Sequence, residues 1–413
     1  MSSVIKIKTK PLYAWQQKVI DVHKQHPKNS IILIKSGRQR GKSYTIIILA
    51  LYECINNHNQ TCIIICPSYN LARKQFNDFS KAIKQLPITQ SLNSSYLEII
   101  LTNGSVIKFK SAESKDNLRG ETADLLIFDE GAFINLDTAM ECFNYTNTTN
   151  GNIIIASTPK FKDDNNLFYK YYKEAIEGRN NCYLIDFNEY DTTSMLSVER
   201  MEMYKSTMPF NIYCNEILGE FLQEKSNVFG DFGKVIKNPI HNEFNVVGGI
   251  DFSTGVNNDE TAITLFNSYK EMTNLFHFND KNTSETIDFI VNVIKEYNVN
   301  KLTIEINSIG KVFFDLLRNE ISKQHLNCQL IQFTTTNKSK REIVQNLQIN
   351  IQNETISLLD DTILKLQLAN FEIKSTPSGL ITYGNSSDTI HDDIIMSICL
   401  ALHSLKSNNY AVR

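Results

Sequence analysis

Residues 31–45 read IILIKSGRQRGKSYT. The apolar run Ile31–Ile34 predicts a buried strand. A short Gly/Arg/Gln loop follows, and Gly41-Lys42-Ser43 leads into a second apolar run, Ile46–Leu51. Strand, loop and helix in that order form the context of a phosphate-binding loop, whose backbone N–H groups and helix N-terminus surround an anion. In such a loop Lys42 reaches the β- and γ-phosphates, and the Ser43 hydroxyl meets Mg²⁺. Ser36 stands where the G-x-x-x-x-G-K-[ST] pattern has its first glycine, and Gly37 comes one residue later. Taken alone, the stretch also reads as a glycine-rich turn with a surface lysine.

A second motif decides between these readings. Asp124-Leu-Leu-Ile-Phe-Asp129-Glu130 is an apolar strand ending in two carboxylates. Asp129 is placed to hold the Mg²⁺ shell, and Glu130 to position or deprotonate a water for attack on the γ-phosphate. The two motifs occur in the order an ATPase requires, about 85 residues apart, so ATP and Mg²⁺ are the expected ligands.

From 31 to 160 the chain alternates β-rich runs with amphipathic stretches. Strands are expected at 31–35, 61–66, 97–101, 105–109, 125–129 and 152–156, and helices at 12–26, 42–57, 69–86 and 165–177. This alternation predicts a mostly parallel sheet with flanking helices, its ligand at the carboxyl ends of the strands. Trp15 and Gln16 precede the first strand. A glutamine amide reads adenine's edge and an indole stacks on it; the alternative is a core tryptophan beside a solvated glutamine. Arg38 or Arg40 would neutralise γ-phosphate charge in the transition state, unless both are solvated loop residues. Ser157-Thr158, at the end of the 152–156 strand, suits a γ-phosphate sensor or a simple capped turn.

The second half carries another pattern. Asp251 ends the run GGID, Glu305 sits inside the apolar run LTIEI, and His391-Asp392-Asp393 precedes the helical IIMSICLALHSL. A lone Glu in a buried strand needs a partner or a metal. Acids on strand, strand and helix start suit a two-metal nuclease centre of ribonuclease-H type, where metal relieves carboxylate repulsion. Helix spacing favours Asp393 over Asp392 as the third ligand, although a cap or turn role is open to each acid. Lys338, Lys340 and Arg341 form a basic cluster suited to DNA phosphates or to a plain solvated face.

Composition sets looser bounds. With 413 residues, two domains are expected, and KSNVFGDFGKVIKNPIHNE (225–243) reads as a linker. The net charge of −3 gives no global basic field, which leaves room for a local basic patch. No apolar run approaches a membrane span, and MSSVIKIKTK lacks the apolar stretch of a signal peptide. The eight cysteines are scattered; Cys62 and Cys66 have no matching second pair, which points to reduced thiols rather than zinc.

Taken in order, WQQ, GRQRGKS, CPSYNLARKQF, LRGETADLLIFDEGAF and IIIASTPK resemble the ATPase of tailed-bacteriophage large terminase subunits. GGIDFSTG…NDETAI, LTIEINSIG and HDDIIMSICLAL resemble the terminase nuclease. The resemblance implies an α/β chain: a P-loop NTPase domain (1–224), a linker (225–243) and a ribonuclease-H-like nuclease domain (244–413). It implies Gln16 as adenine reader, Arg38 as the loop arginine, and Gly37, Gly41, Lys42 and Ser43 as the phosphate loop. Asp129 and Glu130 become the Walker B pair and Ser157-Thr158 the coupling motif. Arg119 matches a further family position. Asp251, Glu305 and Asp392 or Asp393 become the nuclease acids, with Asp259 and His391 beside them and Mg²⁺ or Mn²⁺ as the metal. The implied partners are double-stranded DNA, the procapsid portal, the small terminase subunit and further copies of the chain, in the host cytoplasm and without a membrane. The rival readings are a helicase or repair ATPase with a nuclease-like nucleic-acid-binding domain, and an assembly protein that uses ATP as a switch.

Overall fold

Short β-branched runs and amphipathic stretches alternate through both halves, and each half forms its own sheet. The structure, a computed structural model, describes residues 11–26, 28–84, 86–113, 118, 120–189, 196–222, 226–241, 246–252, 260–307, 309–375, 381–386 and 390–406. The chain divides into two compact units, one of residues 1–202 and 211–223, the other of 203–210 and 224–413.

The first unit contains strands β1 (Ile31–Lys35), β2 (Thr61–Cys66), β3 (Thr89–Asn93), β4 (Glu98–Leu101), β5 (Val106–Ser111), β6 (Leu125–Asp129), β7 (Asn152–Ser157) and β8 (Cys182–Asp186). Helices α1 (Ala14–Gln25), α2 (Lys42–Asn56), α3 (Tyr69–Ile83), α4 (Leu136–Phe143) and α5 (Leu167–Ile176) accompany them. Helices α6 (Val198–Thr207) and α7 (Phe210–Glu216) follow in the chain. The strand order is β3-β4-β5-β2-β6-β7-β1-β8. Pairing is parallel from β5 to β8 and antiparallel for β3-β4 and β4-β5. The central strands β6 and β7 are buried along their whole length, as near-continuous apolar runs covered on both faces should be. β3 and β8 are additions to the expected strands. Both lie at sheet edges, and the polar TQSLN of β3 has no apolar alternation to announce it. α4 is announced only by its cap, where Asn135 Oδ1 accepts from Asp137 N and Thr138 N.

The second unit is built on β9 (Val246–Asp251), β10 (Thr261–Phe266), β11 (Met272–Phe278), β12 (Val299–Glu305) and β13 (Gln329–Phe333), in the order β11-β10-β9-β12-β13. β9, β12 and β13 run parallel; β10 and β11 are antiparallel. Helices α8 (Thr283–Glu296) and α9 (Gly310–Lys323) cover one face. α10 (Asn337–Gln352), α11 (Thr362–Asn370), the hairpin β14 (Phe371–Ser375) and β15 (Ile381–Asn385), and α12 (Asp393–Lys406) complete the unit. α12 lies against β9 so closely that a Cβ at Gly249 would stand 2.2 Å from Ser397 O and 2.3 Å from Ala401 N. Only glycine permits that approach. The buried Thr303 and Ser404 hydroxyls pair at 2.5 Å, and Ser404 Oγ donates to Gly248 O, fixing α12 along the strands.

Candidate functional sites

In the first unit, the neighbour order β6-β7-β1 brings three strand ends together. Parallel register pairs Asp129 with Ala156 and Ser157 with Lys35. The loop after β1, the acids after β6 and the hydroxyls after β7 therefore share one edge. Gly41, with φ 84°, ends the loop, and α2 begins at Lys42. Lys42 Nζ donates to Gly37 O and Thr158 Oγ1, both at 2.9 Å, and lies 3.8 Å from Glu130. Burial lowers its pKa, against the pull of Glu130 and Asp129. Ser43 Oγ donates to Asp129 Oδ2 at 3.1 Å. Burial, then the adjacent Glu130 charge, pushes Asp129 up to about 6. Glu130 adopts a left-handed conformation with φ 52°, and its carboxylate lies 3.4 Å from both Ser157 Oγ and Thr158 N. Strain of this kind gathers at functional positions.

A cleft of about 600 Å³ lies over these groups, lined by Arg38, Arg40, Lys42, Ser43, Tyr44 and Glu130 among others. Arg38 is exposed and ion-pairs with Glu216, whereas Arg40 is buried, with Nη2 on Ile217 O and its guanidinium over Phe187. The segment 215–222 straps the loop. Arg38 N donates to Glu216 O at 2.7 Å, and Asn215 Nδ2 reaches Pro159 O. Ser36 in place of glycine is accommodated because the constrained position is Gly37, where a Cβ would stand 2.3 Å from Ile217 O.

Gln16 is buried, its Oε1 accepting from Tyr13 N and its Nε2 donating to Thr45 Oγ1. Trp15 is a core residue, 1% exposed and edge-on to Phe187; the indole stacking considered for adenine has no surface on which to occur. A residue that sequence reasoning missed is Gln75 of α3, whose amide donates to Asp129. Arg119 lies outside the described residues. The donors meet the needs of a Mg²⁺–nucleotide: hard oxygens from Ser43 and Asp129 side by side, and a lysine beside them.

In the second unit Ile304 pairs with Ile250 in parallel register, which sets Asp251 and Glu305 side by side at neighbouring strand ends on the face that carries α12. α12 starts at Asp393, a nearly buried residue whose Oδ2 accepts from Glu260 N at 2.9 Å. Gln367 Oε1 accepts from Ile394 N and Ile395 N, and this buried cap anchors the helix start. Burial, then Glu305, Asp393 and Asp392, raises the Asp251 carboxyl well above its usual range. Burial raises Glu305 as well. Asp392 ion-pairs with Lys340. Lys340 thus points into the acidic cluster, where Asp251 and Glu305 also act on it. His391 O accepts from Asn385 Nδ2, and Asp259 lies outside the described residues. The donors are hard oxygens, suited to Mg²⁺ or Mn²⁺. Among the described residues no three acids, histidines or cysteines are gathered tightly enough to form a ready metal cage; Lys340 supplies positive charge beside them. The cysteines are free, and burial pushes Cys54 up to about 12 and Cys62 well above its ordinary value.

These two sheets and their edges define a P-loop NTPase unit joined to a ribonuclease-H-like unit. Residues 33–232 match the family model for "Terminase large subunit, T4likevirus-type, N-terminal", and residues 248–405 match "Terminase RNaseH-like domain". The chain belongs to the terminase large-subunit family. The large terminase subunit of Thermus phage G20c is 24% identical over 430 residues, covering 92% of this chain and 85% of that protein. That of Escherichia phage T5 is 22% identical over 301 residues, covering 68% and 67%. A solved large terminase from a thermophilic bacteriophage shares the fold, with a TM-score of 0.54 at 12% identity over 96% of this chain and 100% of that one.

Proposed function

We propose that the first unit hydrolyses ATP to move double-stranded DNA into a procapsid, and that the second cuts the concatemeric genome. The observation that carries this reading is the convergence of Lys42, Ser43, Asp129 and Glu130 at one sheet edge, in a chain whose second sheet gathers Asp251, Glu305 and Asp393. We assign the motor to residues 1–224, the link to 225–243 and the nuclease to 244–413. The large terminase of the same thermophilic bacteriophage has been solved with ADP and with ATP-γ-S, which supports a nucleotide in the corresponding cleft.

In this mechanism Lys42 exchanges its contacts with Gly37 O and Thr158 for the β/γ-phosphate oxygens. Gln16 reads adenine. Arg38 neutralises charge that grows on the γ-phosphate. Glu130 orients the attacking water and accepts its proton, while Ser157 and Thr158, touching Glu130 and Lys42, register whether the γ-phosphate is present. Ser43 and Asp129 would hold Mg²⁺ at the nucleotide, and Asp251, Glu305 and Asp393 would hold Mg²⁺ or Mn²⁺ at the scissile phosphate, where bound metal supplies charge neutralisation and an activated water. A motor must accept any sequence, so contacts to DNA are to phosphates. The portal, the small terminase subunit and further copies of the chain are the partners this role requires, in the host cytoplasm. Among the described residues no helix is long and apolar enough to cross a membrane.

Plasmid digestion with Mg²⁺ or Mn²⁺, comparing the natural chain with Asp251→Asn, tests the nuclease; DNA-stimulated phosphate release tests the motor. Cleavage lost in the variant with ATPase retained is the expected result. A chain that hydrolyses ATP on DNA but never cuts it supports the helicase-like alternative.

A further inference from the structure

Helix α3 presents two chemically different faces. Inward, Phe76 and Phe79 meet Phe109 of β5 edge-on at 6.0 and 6.2 Å. Gln75 is buried next to them, and both ends of its amide are engaged: Nε2 donates to Asp129 Oδ2, and Oε1 accepts from Cys66 Sγ at 3.5 Å. A neutral amide donor on a desolvated carboxylate fixes its orientation without cancelling its charge. Outward, Arg73, Lys74 and Lys81 are exposed, with Lys84 at the helix end. At 3.6 residues per turn the four cations fall within an arc of about 100°, and they extend over about 16 Å of helix. Among the described residues none of the four is in an ion pair. In a chain of net charge −3 this stripe is a local positive field that the total conceals.

A duplex offers one phosphate per about 3.4 Å of axis on each strand, a spacing that such a stripe can follow. The exposed Tyr69 lies one turn before Arg73, and within the span of the four cations no large apolar residue offers the anchor that a protein partner would need. We propose that the outer face of α3 binds the phosphate backbone of double-stranded DNA, and that Gln75 on its inner face ties this contact to Asp129. Resting on the packaging reading above, this gives one rigid element that touches both the polymer being moved and the carboxylate that holds the nucleotide's metal. The linkage is reciprocal: DNA tightens Mg²⁺–nucleotide binding by the factor by which Mg²⁺–nucleotide tightens DNA.

The test uses the full chain, a mixed-sequence fluorescent duplex and a fluorescent non-hydrolysable ATP analogue, with thermal melting as the folding control. Neutralising the stripe (Arg73→Gln, Lys74→Gln, Lys81→Gln) should lower the slope of log affinity for duplex against log salt by about 2–3, each lost phosphate contact accounting for about 0.9. Gln75→Leu should keep the natural salt slope but lose the gain in analogue affinity that DNA produces in the presence of Mg²⁺. Gln75→Glu, which keeps the shape, should do the same if the leucine variant does not fold. An unchanged salt slope in the neutralised variant overturns the DNA surface, as does a loss confined to self-association. A Gln75 variant that keeps the full DNA-induced gain overturns the tie to Asp129. If the natural chain binds no duplex under any condition, the packaging reading itself fails, a result distinct from either of these.

Discussion

Lys340 Nζ lies 2.7 Å from Asp392 Oδ2, inside the acidic cluster formed by two strand ends and a helix start. Burial would lower the Lys340 pKa, but Asp392, Asp251 and Glu305 together hold it above the ordinary value. The lysine therefore offsets repulsion that a divalent ion would otherwise have to relieve. Lys340→Ala should lower the melting temperature without metal by several degrees. It should also raise Mn²⁺ affinity, because the competing cation is gone. Thermal melting with and without Mn²⁺ measures both; a variant that melts alike and binds Mn²⁺ no better contradicts this role.

Asp129 links stability to pH. Its folded pKa of about 6 lies above the ordinary aspartate value of 3.8, so the folded chain binds this proton more tightly than the unfolded chain does. Its contribution favours the folded state at low pH and is lost as pH rises from about 4 through 6. Activity runs the other way, since metal needs the carboxylate. The Mg²⁺ concentration needed for half-maximal hydrolysis should rise as pH falls below about 6, and Asp129→Asn should remove the metal-reversible part of the stability profile.

Lys42 and Glu130 should fail differently. Lys42→Ala deprives the β/γ-phosphates of their buried cation and should abolish both tight nucleotide binding and turnover. Glu130→Gln keeps the shape and removes only the base; turnover should fall about 10²–10⁴-fold with binding retained. Equilibrium nucleotide binding and phosphate release separate the two. Normal turnover in Glu130→Gln would remove Glu130 from the mechanism.

Arg38 is exposed at the cleft rim, with Glu216 as its partner. As a group acting on transition-state charge, its replacement by alanine should lower kcat by about 10²-fold or more while changing nucleotide affinity much less. Equal losses in both would make it a ground-state phosphate ligand.

The adjacent acids should also separate. Asp393 is held at the helix start by Glu260 N, whereas Asp392 is committed to Lys340. Asp393→Asn should abolish cleavage and Mn²⁺ binding, and Asp392→Asn should retain part of both. The reverse pattern would make Asp392 the ligand.

The parts of both sites that lie next to each other along the chain were legible in the sequence. Lys42 follows a strand and a loop, Asp129 and Glu130 end an apolar run, Asp251 ends another, and Glu305 stands out as the one acid inside an apolar run, which the structure ends at that residue. Strand periodicity carries such information within a few residues. Contacts made by long side chains across elements left no such trace. Gln75 reads as one polar residue on an amphipathic helix, Gln367 as another, and Lys340 as part of a basic run. Each acquires its role only when the sheet brings Asp129, α12 or Asp392 within reach. Trp15 shows the converse, a residue whose chemistry suggested a ligand and whose packing against Phe187 made it core.

Gly37 and Gly219 close on one another. A Cβ at Gly219 would stand 2.7 Å from Gly37 N, and one at Gly37 would collide with the carbonyls of Glu216 and Ile217. Each position excludes a side chain, Gly37 because of the 216–217 carbonyls and Gly219 because of the Ser36–Gly37 backbone and its own φ of 70°. The glycine missing from position 36 is then no sign of a decaying loop.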